Sequence, residues 1–163
     1  MPMKIAKRLI YAGAALVLGT AGLVGSAKAQ EAGDGPFWGS LLKPQANMRV
    51  GPGRDYRISW VYQRGGLPVK VLRTMSGWVL IEDPDGARGW MLKQFVGRAR
   101  AAIVKGGVTD IRENMDGTGR MLWRAEPGVI AQLGTCSGEW CKVAVDGREG
   151  FVARGALWGA AQL

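Results

Sequence analysis

The chain has 163 residues, a formal net charge of +9, two cysteines and no histidine. Without imidazole, Ser-His-Asp and Cys-His nucleophilic arrangements are excluded. The usual zinc sites are excluded too, because two cysteines supply only half of a four-ligand cage.

Reading from the N-terminus, Lys4, Lys7 and Arg8 form a short basic region. The apolar run "LIYAGAALVLGTAGLVG" follows, 17 residues from Leu9 to Gly25, and then Ala27-Lys28-Ala29. This order predicts a secretory signal peptide over residues 1–29, cleaved between Ala29 and Gln30, and export to the periplasm or beyond. The alternative is an uncleaved inner-membrane anchor, the one case in which a membrane becomes a partner. A spanning helix needs about 20 strongly apolar residues, and this run is shorter and rich in Gly and Ala. The segment removed carries Lys4, Lys7, Arg8 and Lys28 and no acid, so the mature charge falls to +5. Much of the basicity is thus a targeting signal and does not indicate nucleic acid. The remainder favours anionic partners, such as cell-wall carboxylates, lipid phosphates or acidic proteins.

The remaining chain reads as two copies of one unit. The first copy is "ANMRVGPGRDYRISWVYQRGGLPVKVLRTMSGWVLIEDPDGARGWM" and the second is "TDIRENMDGTGRMLWRAEPGVIAQLGTCSGEWCKVAVDGREGFV". Arg49 aligns with Arg112, Gly66 with Gly128, Trp78 with Trp140, Gly89 with Gly150 and Trp90 with Phe151. Short alternating runs such as Val79-Leu80-Ile81 stand between turn clusters such as "GPGRD", "RGGLP" and "DPDG". The fold class expected is all-β, two small barrels in tandem. The segments are an N-terminal extension at 30–40, a first repeat at 41–99 and a second at 100–163. Each unit is marginal alone, because so small a core buries little apolar surface. The linker "VGRARAAIVKGG" is short, and the two units are expected to pack together.

Cys136 and Cys141 occupy positions where the first copy has Thr74 and Val79. Four intervening residues, Ser137 to Trp140, suit a hairpin loop that sets the cysteines opposite each other, within disulfide reach. An oxidising compartment favours the bond. The spacing is C-x-x-x-x-C, which does not fit the C-x-x-C of redox-active pairs.

The repeat resembles a bacterial SH3 (SH3b) domain. The first copy carries the resemblance in "NMRVGPGRDY", "GGLPVKVL", "SGWVLI" and "DGARGWM". The second carries it in "EPGVIAQL", "GEWCKVAVDGREGFV" and the closing "LWG". The tandem arrangement is similar to exported SH3b proteins of alphaproteobacteria. The resemblance implies five-stranded SH3-like barrels, and binding rather than catalysis, with peptidoglycan a frequent target. It implies no cofactor. In the second copy "RVGPG" has become "RENMDG", which leaves open what that copy's loop does.

Alternation sorts the candidate binding residues. In "WVLI", Val79 and Ile81 face inward and Trp78 faces out; in "WCKVAV", Cys141, Val143 and Val145 face inward and Trp140 faces out. Each Trp either lines a groove or covers a barrel end. Met48 and Val50 fall on one face, Asn47 and Arg49 on the other. The turn Gly51-Pro52-Gly53 then presents Arg54, Asp55 and Tyr56. Arg49, Arg54 and Tyr56 could receive a carboxylate and an apolar side chain; alternatively Arg49 pairs with Asp55 or caps its own loop. Arg112 is the matching residue of the second copy. Trp60 and Tyr62 share a face and, with Trp123, could stack on a ligand or fill the contact between units. Phe37-Trp38 and Leu157-Trp158 read as packing plugs. Asp83, Asp85 and Asp146 read as turn residues. The function expected is binding of the cell envelope, most directly peptidoglycan stem peptides. The alternative is an adaptor for an exported partner protein.

Overall fold

Short strands and tight turns alternate along the whole of residues 35–161, the part that the computed structural model describes. The signal peptide expected over 1–29 and its cleavage point lie outside these residues. The first barrel comprises β1 (Phe37–Leu41), β2 (Ala46–Arg49), β3 (Ile58–Tyr62), β4 (Pro68–Met75), β5 (Trp78–Glu82), β6 (Arg88–Leu92) and β7 (Val96–Gly97). The second comprises β8 (Ala101–Val104), β9 (Thr109–Arg112), β10 (Met121–Ala125), β11 (Ile130–Ser137), β12 (Trp140–Val145), β13 (Arg148–Ala153) and β14 (Leu157–Trp158). A single 3₁₀ turn precedes each last strand, at Lys93–Phe95 and Arg154–Ala156.

The two sheets have one topology. Their strand orders are β3-β2-β6-β5-β4-β1-β7 and β10-β9-β13-β12-β11-β8-β14. The internal repeat is therefore a repeat of architecture, and the chain is all-β with two tandem SH3-like units. Each sheet has seven strands rather than the five expected, and one of the additional strands corrects a boundary. Phe37–Leu41 falls largely in the segment taken as an extension, yet β1 pairs with both β4 and β7. It belongs to the first barrel.

Alternation places the core as expected. Val79 and Ile81 are fully buried, with Val69, Val71, Met48 and Met91 around them. Cys141, Val143 and Val152 hold the same places in the second barrel. A slip of one residue would turn this set to solvent, so the core fixes the register. The matched glycines Gly89 and Gly150 lie where β6 crosses β2 and β13 crosses β9. A Cβ on Gly89 would sit 2.5 Å from Met48 Cγ, and one on Gly150 would sit 2.4 Å from Ile111 Cγ2. Only a residue without Cβ permits that approach.

The β4–β5 hairpin turns on Ser76 and Gly77, with φ of 48° and 81°, the mirror-image turn that suits strand twist. In the second barrel Ser137 pairs directly with Trp140. The four-residue loop expected there is thus two residues, Gly138 and Glu139. Cys136 and Cys141 do face each other and form a disulfide, with Cα atoms 3.9 Å apart.

The barrels meet along β1, β4, β8 and β14. Trp38 and Trp158 contact edge to face at 4.8 Å. Arg64 Nη1 donates to the Gly128 carbonyl at 2.9 Å, and Lys105 Nζ pairs with Asp85 at 2.9 Å. The two residues read as plugs at the ends of the chain pack on each other.

Candidate functional site

The first barrel carries a hollow on its outer face at the start of β5 and the end of β6. Trp78 opens β5 and pairs with Leu92 at the end of β6. The following 3₁₀ turn brings Gln94 and Phe95 alongside, while Arg49 and Arg54 approach from β2 and its loop. Together with Asn47 these residues line a hollow of about 160 Å³. Trp78 faces away from the core, as alternation requires, but it is only 8% exposed. It is a wall of the hollow rather than a projecting ring.

Of the alternatives open for Arg49, the structure shows loop capping. Its Nη1 donates to the carbonyls of Arg54 (2.8 Å) and Tyr56 (2.6 Å), so it caps its own loop. No ion pair with Asp55 forms. Tyr56 folds back, and its ring lies so close to Gly51 that a Cβ there would sit 2.4 Å away. Half of Tyr56 remains exposed, as does Arg54. Val50 is also exposed, although Met48 two residues before it is buried, because β2 ends at Arg49 and alternation does not extend past it.

The matching place in the second barrel is closed. Gly117 of the β9–β10 loop, at φ 79°, lies flat on the Trp140 indole, where a Cβ would meet Cζ2 at 2.1 Å. That loop is held by its own contacts: Asp116 accepts from the Thr118 backbone N–H and hydroxyl. These bonds hold the Asp116 carboxyl below its usual pKa. Arg112 is engaged by Asp110 at 3.3 Å and by the Gly119 carbonyl at 3.4 Å. The change from "RVGPG" to "RENMDG" therefore replaces an open loop with one that covers its tryptophan.

Trp60 and Tyr62 lie elsewhere, on a cleft of about 480 Å³ between the barrels. Trp60 is 59% exposed, whereas Tyr62 is buried in the core. The Tyr62 hydroxyl donates to Asp83 Oδ2 at 2.9 Å, and Asp83 Oδ1 accepts from the N–H groups of Asp85 and Ala87. Asp83 is thus a turn residue, as read, with a second role in orienting Tyr62. Burial, followed by this carboxylate, pushes the Tyr62 hydroxyl well above its ordinary pKa. Trp123 is half-buried on the second barrel under the Arg148 guanidinium, 4.9 Å from its ring centroid.

The candidates thus separate into four places, one of them the closed face of the second barrel with Arg112 and Trp140. Arg49, Arg54 and Trp78 converge, with Tyr56 bracing their loop; Trp60 and Tyr62 share the cleft; Trp123 stands apart. Leu92, Gln94 and Phe95 were not singled out from the sequence, although "MLKQF" directly after the matched "GW" places them beside Trp78. Among the described residues no cluster of three or more His, Cys, Asp or Glu could hold a metal. No helix among them is long and apolar enough to cross a membrane.

Two small SH3-like barrels of one topology, the first with an open hollow on its outer face, define the class of fold. Residues 43–96 and 105–159 both match the bacterial SH3 domain family. The matches cover more than half of the chain, and the chain belongs to that family. Both begin just after the first strand of their barrel. Among solved structures the chain is similar to NlpC1 from Trichomonas vaginalis, at 14% identity and a TM-score of 0.33, covering 75% of this chain and 45% of that one. It is also similar to NlpC2 from the same organism, at 11% identity and a TM-score of 0.33, covering 76% and 48%. The chain spans less than half the length of either. No curated protein matches it.

Proposed function

We propose that this is an exported, non-catalytic binding protein of the cell envelope, and that the first barrel receives carboxylates of peptidoglycan stem peptides. The observation that carries this reading is the convergence of Arg49, Arg54 and Trp78 on one hollow. Arg49 fixes the loop from beneath, Arg54 offers an exposed guanidinium, and Trp78 with Phe95 gives an apolar wall. A guanidinium accepts a carboxylate through two parallel hydrogen bonds, and an apolar wall takes the adjoining side chain. Family membership and the net positive charge support the same reading, as does the secretory signal expected at the N-terminus. Pelleting of residues 30–163 with protein-free sacculi tests it. Saturable pelleting that weakens as salt rises, and falls about tenfold with Arg54→Ala, is the expected result. A protein that stays in the supernatant at every salt concentration is not a wall binder.

One observation favours a second reading, an adaptor for an exported protein. Trp60 is exposed beside an apolar cleft, on the sheet-edge strand β3, four of whose five residues are exposed. Binding of that kind would follow Trp60, tolerate salt and ignore Arg54.

A further inference from the structure

A second hollow, of about 310 Å³, lies on the far side of the second barrel's sheet edge. Val129, Ile130 and Val145 give it an apolar floor, and Trp123 forms one wall. Its rim holds three arginines from three separate elements: Arg64 from the β3–β4 loop, Arg124 from β10 and Arg148 from β13. Arg64 belongs to the first barrel and is held over the second by its bond to the Gly128 carbonyl.

Like charges gathered on one hollow repel, so what neutralises them matters. Arg124 is paired through Nε with Asp110 at 3.2 Å. Arg64 bonds a neutral carbonyl, and Arg148 lies on the Trp123 ring. Neither has a carboxylate partner among the described residues. Glu149, next to Arg148, is taken by Lys142 at 2.7 Å. Asp146 is the one acid lining the hollow, and it forms no ion pair with either arginine. A guanidinium has five donors in a fixed fork; the contact Arg64 makes occupies one of them, and stacking on Trp123 leaves the Arg148 donors available while orienting the group. Two oriented cations above an apolar floor suit an anion that is small, planar and attached to an aliphatic stem.

We propose that this hollow binds the carboxylate of a short aliphatic peptide, with the guanidiniums of Arg64 and Arg148 on the carboxylate and a small side chain on the Val129–Ile130–Val145 floor. The site is separate from the groove of the first barrel and does not rest on wall binding. It needs both barrels, because one of its two cations comes from each. It also gives the second barrel a binding role, although its own Trp140 face is closed.

The test is titration of residues 30–163 with trialanine, followed by the indole N–H resonance of Trp123, identified with Trp123→Phe. Saturable shifts are expected, with affinity about tenfold weaker for trialaninamide, which lacks the charge. Arg64→Gln and Arg148→Gln should each weaken binding about tenfold, whereas Arg54→Ala should leave it unchanged. Equal binding of acid and amide overturns the proposal without recourse to any variant. So does inorganic phosphate binding as tightly as trialanine, which would make this an unselective anion hollow. An absence of saturable shifts up to about 100 mM peptide, beyond any useful affinity, also overturns it.

Discussion

Arg49 and Arg112 occupy matched positions and do matched work, each tying a loop to its strand, yet they border different surfaces. Arg49 borders an open hollow that also contains Trp78 and Arg54. Arg112 borders a loop that lies on Trp140. Their loss therefore separates loop capping from binding, since both variants remove a cap. Tyr62 makes a different prediction at the same scale. Its hydroxyl is protonated when folded, well above its ordinary pKa, because it is buried against Asp83. The unfolded chain releases this proton near pH 10. The unfolded state then binds fewer protons than the folded one, so stability is complete below about pH 10 and is lost as pH rises past it. Tyr62→Phe should cost about 1–2 kcal/mol at neutral pH and flatten the alkaline fall. Urea unfolding at pH 8 and pH 10.5 measures both effects; an equal alkaline fall in the variant would contradict the assignment.

At the scale of elements, the β11–β12 hairpin carries a disulfide that its β4–β5 counterpart lacks, although both close through two residues between paired strands. The short loop closed by Cys136 and Cys141 makes the bond a local staple worth about 2 kcal/mol. Replacing both cysteines by alanine should lower the melting temperature by several degrees while leaving the β-sheet circular dichroism spectrum intact; a variant that does not fold would make the bond essential. The strands themselves were largely legible in the sequence, because period-two alternation marks Val79-Ile81 and Cys141-Val143 as core, and turn clusters mark the gaps. Strand β1 was not, because "FWGSL" is short and interrupted by Gly39, whose lack of a Cβ admits the carbonyl of Gly97. The capping role of Arg49 was legible only as one of two alternatives. Its acceptors are backbone carbonyls, which leave no mark in the side-chain pattern. The closure of Trp140 by Gly117 and the meeting of Arg64 with Arg148 depend on how loops and barrels lie in space, and spacing along the chain does not encode that.

As a whole molecule, the two barrels share an interface in which Trp38 and Trp158, from opposite ends of the described chain, pack on each other. Each barrel alone is small for a stable core, so the junction should tie their unfolding together. Wild-type protein is expected to melt in a single transition. Trp158→Ala should lower stability by about 2 kcal/mol or more and separate the barrels into two transitions by calorimetry. One unbroken transition at an unchanged temperature would show that the junction contributes nothing. The proposed wall binding is assigned to the first barrel. Pelleting of Arg49→Ala and Arg112→Ala side by side with protein-free sacculi tests it most directly. Wall binding through the first barrel predicts that Arg49→Ala loses about tenfold in affinity and that Arg112→Ala pelleting matches wild type. Equal loss from both, or none from either, would contradict it.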